Sequence, residues 1–210
     1  MLSTQLQNIS CGSHQIELFV PNADEVQKRY KQQLQLDAPT PFPYWTQVWP
    51  AAVAMSQFLD EHTDFIKNKK VLELAAGLGL PSLLAAQYAS EVCCSDYLPE
   101  AVTVQQQSAK HNQLQNMYCI VADWNSLSTQ LSADTLLLSD INYDPAVFEI
   151  LYQLLHRFLE QGTTIILSTP QRLMAKPFVD RLNKWCILQQ EISIIHLHKP
   201  VLTMVMVLKK

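Results

Sequence analysis

A glycine turn is the feature of this sequence with the clearest chemical consequence. Two of the four glycines in the 210-residue chain, Gly77 and Gly79, lie together in the segment VLELAAGLGLPS of residues 71–82. A strand-like run over residues 71–74 precedes the turn, and a helix-like run over residues 80–89 follows it. Glycine lets the backbone approach a ligand, and free N–H groups at a helix N-terminus face that ligand. The segment therefore predicts a cradle for a nucleotide-like molecule.

A carboxylate, Glu73, stands at the end of the strand-like run and just before the turn. Beside a pyrophosphate it would add like charge at low dielectric, whereas beside a cation it would contribute attraction. The dinucleotide fingerprint G-x-G-x-x-G also has a third glycine where this chain has Ser82. S-adenosylmethionine carries a sulfonium and an ammonium but no phosphate, so we predict that it, rather than NAD, contacts Glu73. The alternative is that Glu73 only caps the following helix.

Acidic residues also end the next two predicted strands. Asp96 ends the second strand, where a carboxylate can accept hydrogen bonds from both ribose hydroxyls, and Tyr97 beside it can pack on adenine. The third strand is followed by Asp123 and Trp124, where the carboxylate can accept from the adenine amino group. For this last pair the alternative is a surface acid beside a packing tryptophan.

The fourth predicted strand ends in Ser139 and Asp140, and Tyr143 follows at the start of a helix that Asp144 and Pro145 open. Ligands of an open α/β sheet bind outside the carboxyl ends of the strands, so Asp140 is predicted to share one edge with the other acids. An acid and a phenol at this edge can orient an incoming amine. The alternative is that Asp140 binds only backbone N–H groups.

An aromatic segment, PFPYWTQVWP over residues 41–50, precedes the glycine turn. Trp49 is predicted to cover the cofactor or to form a wall of the substrate pocket, and aromatic faces suit a cation. For Tyr44 and Trp45 the alternative is a hydrophobic anchor for the N-terminal helix. The apolar spacing from Trp45 onward predicts an amphipathic helix over residues 45–62.

Strands and helices alternate along the rest of the chain. Strands are predicted near residues 71–74, 91–95, 118–122, 135–139 and 163–168, with helices near 80–89, 99–112, 145–160 and 175–186. Two final β-rich runs, 191–197 and 202–208, suggest an antiparallel hairpin around Lys199 and Pro200. The pattern predicts an α/β fold with a Rossmann-like, doubly wound seven-strand sheet that is mostly parallel and ends in this antiparallel hairpin.

The N-terminal part has a different character. A short strand over 15–20, a polar helix over 23–36 and a proline-rich linker over 39–43 precede the alternating pattern. We therefore expect an N-terminal extension of residues 1–41 and one main domain of residues 42–210.

Composition excludes several classes of function. The net charge of −4 argues against a nucleic-acid surface, and no apolar run approaches the ~20 residues that span a bilayer. The polar first ten residues carry no secretory pattern. The five cysteines and six histidines show no metal-ligand or catalytic spacing, so we predict no metal site. We also predict that the thiols are reduced and buried, as in a cytoplasmic protein. A monomer is favoured.

The motifs taken together resemble the class I, or seven-β-strand, methyltransferases. The resemblance rests on Glu73-x-Ala-Ala-Gly-Leu-Gly, Asp96, Asp123-Trp124 and Asp140-Ile-Asn-Tyr143, which occur in this order. Within that class, VWPAA over residues 48–52 followed by a helix, together with the Asp-x-x-Tyr motif, resembles the protein-lysine methyltransferases that modify chaperones, elongation factors and electron-transfer flavoprotein. The resemblance covers about residues 42 to 209.

This resemblance implies S-adenosylmethionine as cofactor and a protein lysine as methyl acceptor. It implies cofactor contacts from Trp49, Glu73, Ala75, Gly77, Asp96, Trp124 and Ser139, with Asp140 and Tyr143 facing the substrate. Ala75 departs from the family pattern because it replaces the usual first glycine, and Ser139 stands where a small apolar residue is common. The alternatives are a small-molecule N-methyltransferase and a non-catalytic module that binds an adenosyl ligand or NAD.

Overall fold

The computed structural model describes residues 2–36, 42–128 and 131–210. In these ranges the chain forms nine strands: β1 (Thr4–Cys11), β2 (His14–Pro21), β3 (Lys70–Leu74), β4 (Glu91–Asp96), β5 (Met117–Val121), β6 (Thr135–Ser139), β7 (Thr164–Pro170), β8 (Cys186–His196) and β9 (Lys199–Leu208). The same ranges hold six α-helices: α1 (Ala23–Leu34), α2 (Pro50–Glu61), α3 (Leu80–Ala85), α4 (Pro99–His111), α5 (Phe148–Glu160) and α6 (Lys176–Leu182).

Seven of the strands form one sheet in the order β5-β4-β3-β6-β7-β9-β8. The pairs among β3, β4, β5, β6 and β7 are parallel, whereas β9 pairs antiparallel with both β7 and β8. The predicted doubly wound seven-strand sheet with a C-terminal antiparallel hairpin is confirmed. Because β3 to β6 are parallel, their carboxyl ends meet at one edge, where the predicted acids are placed.

Helices cover both faces of this sheet, which explains why its central strands are nearly continuous apolar runs. Val71 of β3 packs into a hydrophobic cluster with α2, α3 and α4, whereas its neighbour Leu72 packs into a second cluster with α5 and α6. Successive side chains of a strand point to opposite faces, so each strand contributes to both clusters. No helix among the described residues is long and apolar enough to cross a membrane.

The N-terminal segment forms a hairpin in which β1 pairs antiparallel with β2. The strand at β2 was predicted, but β1 was not, because its side chains are largely polar and it gains its order from pairing. Ile16, Leu18 and Val20 of β2 are buried in the same hydrophobic cluster as α2 and α4. The boundary near residue 41 stays a prediction, and residues 39–41 of the predicted linker lie outside the described residues.

The helix predicted over 45–62 begins later than its apolar spacing indicated. A 3-10 turn, Tyr44–Thr46, comes first, and α2 begins at Pro50. The reason is that a residue before proline avoids helical angles, and Trp49 is extended at φ −89° and ψ 149°. Pro50 then occupies the first helical position, where its missing N–H has no intrahelical partner to lose.

Three further predictions of length or position need correction. The helix predicted over 80–89 ends at Ala85, and the one predicted over 175–186 is α6 flanked by the 3-10 turns Leu173–Ala175 and Asn183–Trp185. The C-terminal hairpin turns at Leu197 and His198, which have φ of 49° and 62°, rather than at the Lys-Pro pair, which begins β9. Positive φ at both residues is typical of the two-residue turn whose twist matches the flanking strands.

Candidate active site

A cavity of about 630 Å³ lies at the carboxyl ends of the parallel strands, and its size is typical of a small-molecule site. The structure brings together every predicted site residue except Glu73 in the wall of this cavity: Trp49, Ala75, Gly77, Gly79, Asp96, Tyr97, Asp123, Trp124, Ser139, Asp140 and Tyr143. Their individual roles stay predictions.

Glu73 is the predicted site residue that the structure places elsewhere. Its side chain is fully buried, and one carboxylate oxygen accepts hydrogen bonds from the Ser82 backbone N–H at 2.9 Å and hydroxyl at 2.5 Å. Ser82 is the third residue of α3, so Glu73 caps that helix, as the alternative interpretation held. Burial raises the pKa of Glu73 to about 8, and nearby Asp96 adds to the shift. Glu73 therefore does not line the cofactor side of the cavity.

The N–H groups of the glycine turn are also mostly used inside the protein. Ala76 donates to the Ser95 carbonyl at 2.9 Å, Gly77 to the Asp96 carboxylate at 2.9 Å, and Gly79 to the Ala76 carbonyl at 2.8 Å. The expectation that free N–H groups of this turn face the ligand is therefore wrong for these three residues. A phosphate would find few donors here.

Left-handed backbone at three positions shapes the turn. Gly77 and Gly79 have φ of 56° and 74°, and Ala75 has φ of 52°. At Gly79 an added Cβ would lie 2.9 Å from the Cys94 sulfur, so only glycine is accommodated there. Ala75 adopts a conformation that suits glycine, and its methyl group lies at the cavity wall.

Asp96 ends β4 at the floor of the cavity and is 4% exposed. Its carboxylate accepts from the backbone N–H groups of Gly77 at 2.9 Å and Leu98 at 3.0 Å, and burial raises its pKa. These two bonds fix its orientation toward the space where a ribose is predicted. Asp123 is exposed and accepts from the backbone and side chain of Asn125 at 2.9 and 2.8 Å.

Aromatic rings wall the opposite side of the cavity. The Tyr44 ring centroid lies 5.3 Å from that of Tyr143 and 6.0 Å from that of Trp49. The Trp49 indole N–H donates to the Tyr44 carbonyl at 2.7 Å, which holds the ring in place. Burial raises the pKa of Tyr143, and the neighbouring acids and phenols add to the shift. The Tyr143 hydroxyl therefore stays protonated and can donate a hydrogen bond at neutral pH.

Arg172 is the site residue that the sequence did not indicate. It follows β7 by two residues, lines the cavity, and donates through both terminal nitrogens to the two oxygens of Asp140, with Nη2 and Oδ2 2.9 Å apart. The rule that places ligands at strand carboxyl ends could have found it, because β7 neighbours β6 in the sheet. Asp140 itself has φ of 54° and donates its backbone N–H to Ser168 of β7.

Within the described ranges, no group of three or more His, Cys, Asp or Glu side chains is arranged to hold a metal ion. The cysteines are free thiols: Cys11, Cys93 and Cys94 are buried, and Cys119 and Cys186 are half-buried.

Comparison with known proteins shows the family of this chain. Residues 29–185 match a protein family described as lysine methyltransferase. The chain is 36% identical over 120 residues to the human histone-arginine methyltransferase METTL23, covering 52% of this chain and 63% of that protein. It is 29% identical over 136 residues to the Danio rerio electron transfer flavoprotein beta subunit lysine methyltransferase, covering 64% of this chain and 52% of that protein. The chain thus spans about half to two-thirds of the length of these relatives.

A solved structure shows the same fold. The T. thermophilus 16S rRNA N2 G1207 methyltransferase RsmC, in complex with AdoMet and guanosine, superposes with a TM-score of 0.66 at 15% identity, covering all of this chain and 51% of that one. At this identity the likeness concerns the fold alone. The seven-strand sheet, the cavity at its carboxyl edge and a family match over most of the chain agree, and the chain belongs to the lysine methyltransferase family.

Proposed function

We propose that this chain binds S-adenosylmethionine and transfers its methyl group to the side-chain nitrogen of a protein lysine. The observation that carries the proposal is that one cavity joins Asp96 and Asp123, which are predicted to bind a nucleoside, to Asp140 and Tyr143, which are predicted to face the acceptor. Membership of the lysine methyltransferase family supports the same chemistry. A cytoplasmic location and a monomeric state remain predictions.

The residues present fit this cofactor better than a dinucleotide. Glu73 already occupies the N-terminus of α3, and the N–H groups of Ala76, Gly77 and Gly79 are used internally, so a pyrophosphate would lack donors. Asp96 would accept from the ribose, and Trp124 and Tyr97 would flank the adenine. The buried Ser139 hydroxyl lines the cavity without a protein partner, so it would bond the methionine end of the cofactor.

When bound, S-adenosylmethionine supplies an electrophilic methyl group whose bonding electrons remain on sulfur as the acceptor nitrogen takes the carbon. The protein then has to orient that nitrogen and exclude water. Tyr143 can hold the acceptor by a hydrogen bond, and the rings of Tyr44 and Trp49 limit access of water. A lysine must lose a proton first, because its reference pKa is about 10.4. Asp140 acts as an orienting acceptor rather than as a strong base, since Arg172 already neutralises its charge.

Arginine is the second candidate acceptor, because METTL23 is named a histone-arginine methyltransferase. The relative named for electron transfer flavoprotein acts on lysine, and the family description names lysine as well. A small-molecule amine remains the third possibility.

Two measurements test the proposal in order. Isothermal titration of the purified chain with S-adenosylmethionine, and with NAD as control, should give micromolar binding of the first and none of the second. A heat-treated cell lysate should then be incubated with the chain and tritiated cofactor. Label in a protein band that yields methyl-lysine on hydrolysis supports the proposal. Label in a metabolite, or cofactor binding without any transfer, would contradict it.

A further inference from the structure

Arg172 supplies a fixed positive charge beside the place where the acceptor must enter. It is the one Lys or Arg side chain in the wall of the cavity, as far as the structure describes that wall. The same wall holds three carboxylates from the described residues: Asp96, Asp123 and Asp140. The first two lie on the nucleoside side, so Asp140 is the acid on the acceptor side.

The Arg172–Asp140 pair is built to persist. Both terminal nitrogens of the guanidinium meet the two carboxylate oxygens, and the side chains are 32% and 12% exposed. A typical surface pair of this protein, Arg181 with Glu149, is 43% and 63% exposed. Partial burial and two parallel hydrogen bonds make the cavity pair less easily opened than the surface pair.

This pair has different consequences for the two kinds of acceptor. An arginine guanidinium keeps its charge at any physiological pH and is best bound by a carboxylate that is free for two hydrogen bonds. Asp140 already makes that contact with Arg172, so it is not available to bind a second guanidinium. A lysine can instead enter as a neutral amine, and Arg172 favours this form because it neutralises Asp140, whose free carboxylate would raise the pKa of such an amine.

We propose that Arg172 is a specificity-determining residue that admits the methyl acceptor as a neutral amine and so selects lysine over arginine. This role rests on the proposed function, because it concerns the acceptor of that same transfer. The titratable groups around the pair are the phenol of Tyr44, which interacts with Arg172, and the phenol of Tyr143, which interacts with Asp140 and also with Tyr97 and Asp144. None of them carries a positive charge that could replace that of Arg172.

The test uses the full chain, tritiated S-adenosylmethionine, and the lysate protein that the wild type labels. Turnover at saturating acceptor is measured from pH 7 to 10 for the wild type, Arg172→Met and Arg172→Lys. Arg181→Met is the matched control, because it removes the same charge from a surface ion pair outside the cavity. Circular dichroism and the dissociation constant for S-adenosylmethionine verify that each variant is folded.

We expect Arg172→Met to raise the pH at which turnover rises (the rising limb) by about one pH unit or more. The variant leaves the Asp140 carboxylate unneutralised beside the acceptor, and a nearby carboxylate raises the pKa of an amine by that amount. Arg172→Lys should keep the limb near its wild-type position, and Arg181→Met should leave it unchanged. The ratio of methyl-lysine to methyl-arginine in the hydrolysed product should fall at least about tenfold in Arg172→Met.

The inference would be overturned if Arg172→Met lowered turnover at every pH but changed neither the pH at which turnover rises nor the ratio of methyl-lysine to methyl-arginine. That result would show that the residue is merely structural. Methyl-arginine as the main wild-type product would overturn it as well. A folded wild type that binds the cofactor but labels nothing contradicts the proposed function itself, and that outcome is recognised before any variant is compared.

Discussion

Replacing Glu73 with glutamine tests the helix-capping role of this buried acid. The side chain is fully buried beneath the glycine turn, and burial raises its pKa from the usual 4.5 to about 8. The folded protein therefore holds a proton that the unfolded chain releases near pH 4.5. The resulting stability is fully present below pH 4.5 and is lost as the pH rises through about 8.

The size of this loss follows from the shift. Each pH unit in which the folded state holds one extra proton changes the free energy of unfolding by about 1.4 kcal/mol. Between pH 6 and pH 9 the wild type should thus lose about 2 to 3 kcal/mol through Glu73 alone. Glu73→Gln cannot titrate and should lack this loss. One Glu73 oxygen has no partner, so the amide placed there should cost about 1 to 3 kcal/mol at pH 6.

Urea unfolding of both proteins at pH 6, 7, 8 and 9 measures the effect. The quantity of interest is the stability difference between wild type and variant, because other titrating groups are common to both and cancel. Relative to the wild type, the free energy of unfolding of Glu73→Gln should rise by about 2 to 3 kcal/mol from pH 6 to pH 9. Glu149→Gln is the control, since the pKa of this exposed acid is lowered by Arg181 and it stays ionised throughout. A constant difference for Glu73→Gln would refute the raised pKa and the buried environment behind it.

Three further substitutions test the turn, the N-terminal hairpin and the acceptor side. Ala75→Gly should raise the free energy of unfolding by up to about 1 kcal/mol and tighten cofactor binding, because the φ of 52° suits glycine. Thermal melting measures the first effect and titration with S-adenosylmethionine the second. A melting temperature below that of the wild type would contradict the prediction. Gly12→Ala should lower the free energy of unfolding, measured in urea, by at least about 2 kcal/mol, because its Cβ would lie 2.3 Å from the Asp60 carboxylate. Gly162→Ala is the control: at φ 83° its Cβ has no neighbour within 4 Å, so the loss should be about 1 kcal/mol. Equal losses in the two variants would argue against the clash. Asp140→Ala should leave cofactor affinity near the wild-type value and reduce turnover by at least about tenfold, and equal loss of both would exclude an orienting role.

The fold and most of the cavity wall could be predicted because they depend on local pattern. Strand-length apolar runs alternate with helical spacing, and acids such as Asp96 and Asp140 follow their strands directly. The parallel topology then brings these strand ends to one edge, whatever the details of packing. The predictions that failed at Trp49 and at the C-terminal hairpin concerned where elements begin, which local proline and turn geometry decides.

The partners of the site residues could not be predicted in the same way. Arg172 is one of fifteen lysines and arginines, and only the pairing of β6 with β7 brings it to Asp140. Glu73 lies at the right strand end, yet it points to Ser82 rather than into the cavity. The position of a residue in a strand decides which edge of the sheet it lies at. The direction of a side chain near that edge, such as that of Glu73, depends on what packs against it.

The preference for S-adenosylmethionine over NAD that we propose has a different physical basis from the one that the sequence suggested. Attraction between Glu73 and a sulfonium cannot operate, because the acid is buried away from the cavity and, at a pKa of about 8, is largely protonated at neutral pH. The proposed discrimination against NAD follows instead from the lack of free hydrogen-bond donors for a pyrophosphate in the glycine turn. Its Ala76, Gly77 and Gly79 N–H groups bond to other groups of the protein, and Glu73 caps α3, the helix that follows the turn. A loop with its donors already used still suits a nucleoside without phosphates, whose ribose is predicted to bind Asp96 and whose adenine is predicted to lie between Tyr97 and Trp124.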